Sequence, residues 1–164
     1  LHLAPEYCYL TRFKTQTNLD YVTGDLNSPW ADHHFDCHDI PFENESFDMV
    51  MANHLLEHVV DDRRVLQEFY RVMKRGGWGV IQVPVNYKNR ETDEDLSVTD
   101  PMERERRYWQ QDHVRLYGYE DYPKRLREAG FHLERVDMLD MLGEECYNRY
   151  SLGEERWVYW VSKL

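Results

Sequence analysis

One short stretch of this sequence, His54-Leu55-Leu56-Glu57-His58, has the form H-x-x-E-H. Two imidazoles four residues apart on a helix can share a metal ion, with a glutamate beside them to move a proton, which is the chemistry of one zinc hydrolase group. No third ligand is evident near the pair, and motifs this short match often by chance, so no metal is expected from it. A second ligand-rich stretch is Asp32-His33-His34 with Cys37-His38. Successive side chains on a strand face opposite ways, so these groups cannot all converge on one ion, and the stretch reads as ordinary strand and turn. Asp25 closes the run Leu19–Asp25. A carboxylate at a strand end can accept two hydrogen bonds from a sugar diol; it can equally be a solvated turn residue ahead of Asn27-Ser28-Pro29. Arg115, in Asp112-His113-Val114-Arg115-Leu116-Tyr117-Gly118, either binds a carboxylate or phosphate on a ligand or pairs with one of the many nearby acids.

The surrounding pattern supplies the elements that would hold these groups. Pro5 to Lys14 predicts a short helix with Pro5 in its first turn. Leu19 to Asp25 predicts a strand, Asn27 to Asp32 a turn, and His33 to Cys37 a short strand. Phe47 to Asn53 carries an apolar run, Met49 to Ala52, which fits a strand buried on both faces. From Asp61 and Asp62 a helical pattern runs through Lys74, with Val65, Phe69, Val72 and Met73 on one apolar stripe and Gly76-Gly77 as its stop. Trp78 to Val83 predicts the next strand, closed by Pro84. Residues 86–112 are polar and charged, long for a plain connection, and read as an insertion or lid. Glu120 to Ala129 predicts a helix, and Phe131 to Met138 and Arg156 to Lys163 two final strands. Alternation of this kind predicts an α/β fold: a parallel sheet with helices on both faces. Ligands of such sheets bind at the carboxyl ends of the strands.

Composition narrows the function classes. At 164 residues there is room for one domain with one sizeable core, and 41% hydrophobic residues are enough to fill it. The opening Leu1-His2-Leu3 reads as the end of a buried strand, so sequence upstream is expected. A formal net charge of −11 disfavours a phosphate backbone, and no nucleic-acid partner is expected. The three cysteines, Cys8, Cys37 and Cys146, are widely spaced and odd in number, which suggests reduced thiols and a cytoplasmic location. No apolar run is long enough to span a bilayer. Oligomeric state is not legible.

Taken together, Asp36-Cys37-His38-Asp39-Ile40-Pro41-Phe42, Ser46-Phe47-Asp48, Asn53 to Val59, Arg71 to Gly77 before a strand and Pro84, and Leu126-Arg127-Glu128-Ala129-Gly130-Phe131 resemble the class I S-adenosylmethionine (SAM)-dependent methyltransferases, in particular the type 11-like, small-molecule members. The resemblance covers nearly the whole chain outside 86–112 and implies a Rossmann-like fold, its sheet mostly parallel with an antiparallel final strand. It implies that Asp25 holds the ribose hydroxyls, that Leu26 packs on the adenine, and that Asp36 and the Cys37 backbone amide meet its ring. Asn53 and His54 would lie beside the methionine portion and the sulfonium. Where the family has an acidic residue and a glycine-rich turn, this chain has Ala4-Pro5-Glu6. Ala4 is small, and Glu6 is placed to bind the methionine ammonium in place of the missing acid.

The implied reaction passes a methyl group from SAM to an unidentified, small-molecule acceptor, leaving S-adenosylhomocysteine. The protein aligns the two and excludes water. His54 and His113 are the candidate proton acceptors, and His58, Arg115 and Tyr117 the candidate substrate contacts, with a purely structural role for His58 the plainer alternative. Three rivals remain: a catalytically degenerate methyltransferase-like interaction module, a zinc hydrolase acting through His54, Glu57 and His58, and an NAD oxidoreductase, which would need the glycine-rich turn that Ala4-Pro5-Glu6 lacks.

Overall fold

The computed structural model describes residues 1–153 and 156–164. Along the chain come β1 (His2–Leu3), α1 (Tyr7–Phe13), β2 (Thr23–Asp25), β3 (His33–His34), β4 (Phe47–Asn53), α2 (Asp62–Val72), β5 (Met73–Gln82), β6 (Val85–Asn86), β7 (Asp93–Glu94), α3 (Pro101–Tyr108), β8 (Arg115–Gly118), α4 (Asp121–Glu128), β9 (His132–Asp137), α5 (Met138–Arg149) and β10 (Trp157–Ser162). Seven strands form one sheet in the order β3-β2-β1-β4-β5-β10-β9. Strands β3 through β5 run parallel, and β10 is antiparallel to both its neighbours. This is the expected α/β Rossmann-like sheet with its antiparallel final strand. Among the described residues, no helix is long and apolar enough to cross a membrane.

The core follows the apolar pattern. Val50 and Ala52 of β4 are buried, as are Val65, Phe69, Val72 and Met73 of the predicted stripe. Asp61 caps α2, its side chain accepting from the Arg64 amide. The helix ends sooner than its pattern suggested, because the backbone turns extended at Met73. Gly76-Gly77 therefore does not stop the helix but sits inside β5, where the pairing jumps from Phe47↔Met73 to Met49↔Trp78. Gly76 takes φ +75°, and a Cβ on Gly77 would lie 2.8 Å from the Lys74 carbonyl, so glycines make this bulge possible. Pro5 precedes the cap residue of α1, Glu6, rather than entering the helix. Strands β2 and β3 are shorter than the runs that predicted them, and α5, with a non-helical Gly143, was not anticipated.

Residues 86–112 are structured. Strands β6, β8 and β7 form a second, three-stranded sheet, and α3 has Asp100 as its cap and Pro101 in its first turn. A buried ion network ties this sheet to the core. Arg125 donates to Asp62, Asp121 and Glu94 at 2.8 Å each. Arg115, 2% exposed, donates to Glu94 and to the carbonyls of Leu56, Val59 and Val60. Tyr117, fully buried, donates to Asp62.

Arg125→Ala should cost about 3–5 kcal/mol, because it strands Asp62 in the interior without its cation; the urea midpoint measures it. The Arg125 and Arg115 guanidiniums hold the Glu94 carboxyl down at about 2, against an ordinary 4.5. A lowered acid stabilises the fold above its ordinary value and loses that stabilisation as pH falls toward its folded value. Stability should therefore fall between about pH 4.5 and 2, and Glu94→Gln should flatten that part of the acid profile; an unchanged profile would remove Glu94 from the account.

Candidate functional site

The register of the sheet brings three strand ends level. Leu3 pairs with both Gly24 and Ala52, so Ala4, Asp25 and Asn53 emerge side by side at the carboxyl edge. Two residues at this edge hold backbone conformations that favour glycine: Ala4 at φ +48° and His54 at φ +50°. Such conformations cost an L-residue about 1–2 kcal/mol and collect at functional sites. The turn after β1 thus keeps a glycine-type geometry although the residue is alanine.

Beside this edge lies a cavity of about 250 Å³, walled by Ala4, Asp25, Leu26, Asp36, Cys37 and His58, among others. Asp25 is the turn residue of one expectation and also lies on the cavity wall. Its Oδ1 accepts from the amides of Asn27 and Ser28 at 2.8 and 2.7 Å, which fixes the turn and aims the carboxylate. Asp36 accepts from the His38 amide and pairs with its ring at 2.6 Å. Those bonds, the amide first, hold its carboxyl below the usual range. Leu26 is exposed and forms an apolar flap on the wall. Phe35 closes the floor so tightly that a Cβ on Gly24 would lie 2.3 Å from its ring.

Glu6, Asn53 and His54 are absent from the cavity wall, although their neighbours Ala4 and Leu55 belong to it. Pro5 is buried and is likewise absent from the wall of this cavity. Asn53 donates its side-chain amide to Glu6 at 2.9 Å, and Glu6 pairs with His2 at 2.7 Å. The Asn53 side-chain oxygen is left as an acceptor. Burial works to raise the Glu6 pKa, but the bonds from His2 and Asn53 outweigh it and hold the carboxyl below its ordinary value. A fixed carboxylate with an amide oxygen beside it suits an ammonium or sulfonium group. The residues present therefore fit SAM: a cavity with two carboxylates for the adenosyl end, and a polar pair at its edge for the charged end.

The other expected residues divide. His54 stands 3.3 Å from Glu57. His58 and His113 meet edge to face at 4.7 Å; His113 is buried, its Nδ1 donating to the Tyr108 carbonyl, and burial lowers its pKa. Arg115 and Tyr117 are not substrate contacts: both are buried with their donors spent inside the protein, because the loop after β4 needs its carbonyls satisfied. His54 to His58 forms a turn rather than a helix. Asp32, His33 and His34 diverge, for Asp32 binds Lys14 and Thr23, His33 packs on Phe42, and His34 turns to the Ser28 carbonyl, whereas one ligand atom from each of Asp36, Cys37 and His38 lies within 4.8 Å of the other two. Glu57, singled out in the sequence only through the H-x-x-E-H motif, is 1% exposed, and neither of its carboxylate oxygens has a hydrogen-bond partner among the described residues.

Comparison with known proteins agrees with this geometry. Residues 2–81 match the family model described as a methyltransferase domain. The ubiquinone/menaquinone biosynthesis C-methyltransferase UbiE of Geotalea daltonii is 47% identical over 45 residues, 27% of this chain and 19% of that protein; the match spans about a fifth of the relative's length. Among solved structures, the SAM-dependent methyltransferase of Mesorhizobium loti superposes with a TM-score of 0.63 at 16% identity, covering 98% of this chain and 87% of that one. A Haloferax volcanii methyltransferase, solved in complex with the activator Trm112, gives 0.61 at 17% identity over 98% and 80%.

Burial in the cavity wall, then the nearby Asp36 charge, pushes the Cys37 thiol up to about 12, whereas Cys8 is exposed. At about pH 8, where an ordinary thiol is partly ionised, iodoacetamide should label Cys8 well before Cys37. Peptide mass spectrometry reads the order, and equal rates would show an open, ionisable Cys37.

Proposed function

We propose that the chain is a class I SAM-dependent methyltransferase, a reading supported by its sheet and by the methyltransferase-domain match over residues 2–81, and that it transfers a methyl group from SAM to a small-molecule acceptor. The observation that carries the reading is the alignment of Ala4, Asp25 and Asn53 at one edge of the sheet, with the cavity on one side and the Glu6–Asn53 pair at its rim. When bound, SAM supplies an activated methyl on its sulfonium, so the S–CH₃ bond breaks as the acceptor–CH₃ bond forms.

Each residue then has a defined task. Asp25, aimed by two backbone amides, accepts from the ribose hydroxyls. Leu26 covers the adenine, and Asp36 and the Cys37 amide address its edge. Glu6 would hold the methionine ammonium, and Asn53 would offer a carbonyl oxygen to the sulfonium. These contacts fix the donor, which is most of what an already activated reagent requires. His54 is half-exposed and held by the buried Glu57, so it is the side chain placed to take an acceptor proton. His113, buried behind His58, supports the site instead of meeting the acceptor directly.

Calorimetric titration with SAM and S-adenosylhomocysteine tests this reading. The chain should bind both, and Asp25→Ala should weaken binding by about 1.5–3 kcal/mol, the worth of a hydrogen bond to a charged group. Absence of binding to either compound would favour a non-catalytic module, and unchanged affinity in Asp25→Ala would remove Asp25 from the site.

A further inference from the structure

Buried carboxylates normally have hydrogen-bond partners, because an unpaired one is costly to bury. Glu57 breaks this rule: it is 1% exposed, and neither Oε1 nor Oε2 has a hydrogen-bond partner among the described residues. Its surroundings are imidazoles. One ligand atom from each of Glu57, His58 and His113 lies within 4.8 Å of the other two, and His54 Nδ1 stands 3.3 Å from Glu57 Oε1 without making a hydrogen bond to it.

The histidines are oriented as ligands usually are. In metal sites the nitrogen that does not bind the ion donates to a carbonyl or carboxylate, which fixes the ring and its tautomer. The Nδ1–H of His113 donates to the Tyr108 carbonyl at 2.9 Å, leaving Nε2 as a lone-pair donor. The Nδ1 of His58 sits 3.2 Å from an Asp112 carboxylate oxygen. His113 is delivered from a distant part of the chain by the Val114 amide, which donates to the Glu57 carbonyl at 2.9 Å.

We propose that Glu57, His58 and His113 bind a divalent transition-metal ion. Two imidazoles and one carboxylate are the donor set of open, catalytic zinc sites and of related iron(II) sites. Metal–nitrogen bonds of about 2.0–2.1 Å would put the ligand atoms roughly 3.4 Å apart, so the three side chains need only close by about an ångström. The ion would neutralise Glu57 in place of the missing hydrogen bonds. Its ligand set differs from the His54–His58 pair that the motif alone suggests. His58 also walls the cavity, so an oxygen of an acceptor bound to the ion would be made more acidic next to the methyl donor.

The test uses chelator-stripped full chain, without cofactor, titrated with Zn²⁺ against a chromophoric chelator and with Co²⁺ followed by its visible absorption. Binding of one ion per chain is expected, weakened by at least about tenfold in Glu57→Gln and in His58→Gln, with circular dichroism confirming that the variants are folded. His58 is the fallback if the buried Glu57 variant does not fold, since its side chain is 29% exposed. Failure of the wild-type chain to bind either ion, or unchanged binding in folded His58→Gln, would overturn the proposal. Because no SAM is present, either result leaves the methyl-transfer reading to its own titration.

Discussion

The arrangement of the site depends on where the Arg115 guanidinium is buried. The loop after β4 leaves the carbonyls of Leu56, Val59 and Val60 without helical or strand partners, and a buried carbonyl left unpaired is costly. Arg115 supplies hydrogen bonds to all three. A buried cation would itself be costly, and Glu94 answers it from β7. The two requirements are met together only if β8 lies against the loop. Once it does, Val114 pairs with Glu57 and His113 lands on His58. The segment read as a lid is therefore fastened to the core by charge. Its anchoring residues look like a substrate clamp in sequence but work as a brace.

The strained positions tell a complementary story. Ala4 and His54 sit at the carboxyl ends of neighbouring strands, and both take left-handed backbone conformations. The strand pairing beside them absorbs the cost: the Ala4 amide donates to the Gly24 carbonyl at 2.9 Å, and the His54 amide to the Gln82 carbonyl at 2.8 Å. The chain turns sharply at these points, so Glu6 reaches back to Asn53, and His54 reaches Glu57. Strain at the ends of β1 and β4 is thus tied to the two polar pairs that border the site.

Much of the sheet was legible because its strands carry uninterrupted apolar runs; Phe47–Asn53 was recovered to the residue. Boundaries failed where backbone geometry outranked pattern, as at Met73, where the apolar stripe continues past the helix end into β5. The second sheet escaped because its strands are short and its fastening is ionic, which leaves no periodic signal. Among the candidate residues, Asp25, Asp36 and Cys37 were singled out by their places after strands and Leu26 by the family resemblance, and all four wall the cavity. Arg115 and Tyr117 misled because sequence reveals a charge or a hydroxyl but not which carbonyls or acids it must satisfy. His113 could not be linked to Glu57 from sequence, since their meeting depends on a pairing across 57 positions of chain.

The charges around the cavity also bear on which nucleotide-like ligand it suits. Asp25 and Asp36 are on its wall and Glu6 is at its rim. Glu6 and Asp36 are each held ionised by neighbours, and no glycine-rich run of amides is present after β1 to cradle an anion. A dinucleotide would bring a pyrophosphate to this edge, against fixed negative charge, with only the amides of a strained Ala4 and a proline-led turn to receive it. SAM brings a ribose diol, an ammonium and a sulfonium, each of which is favoured by a carboxylate or an amide oxygen. The substitution of Ala4-Pro5-Glu6 for a glycine-rich turn therefore weighs more heavily against a pyrophosphate than against a sulfonium, because Glu6, three residues after Leu3, adds a further negative charge near the end of β1.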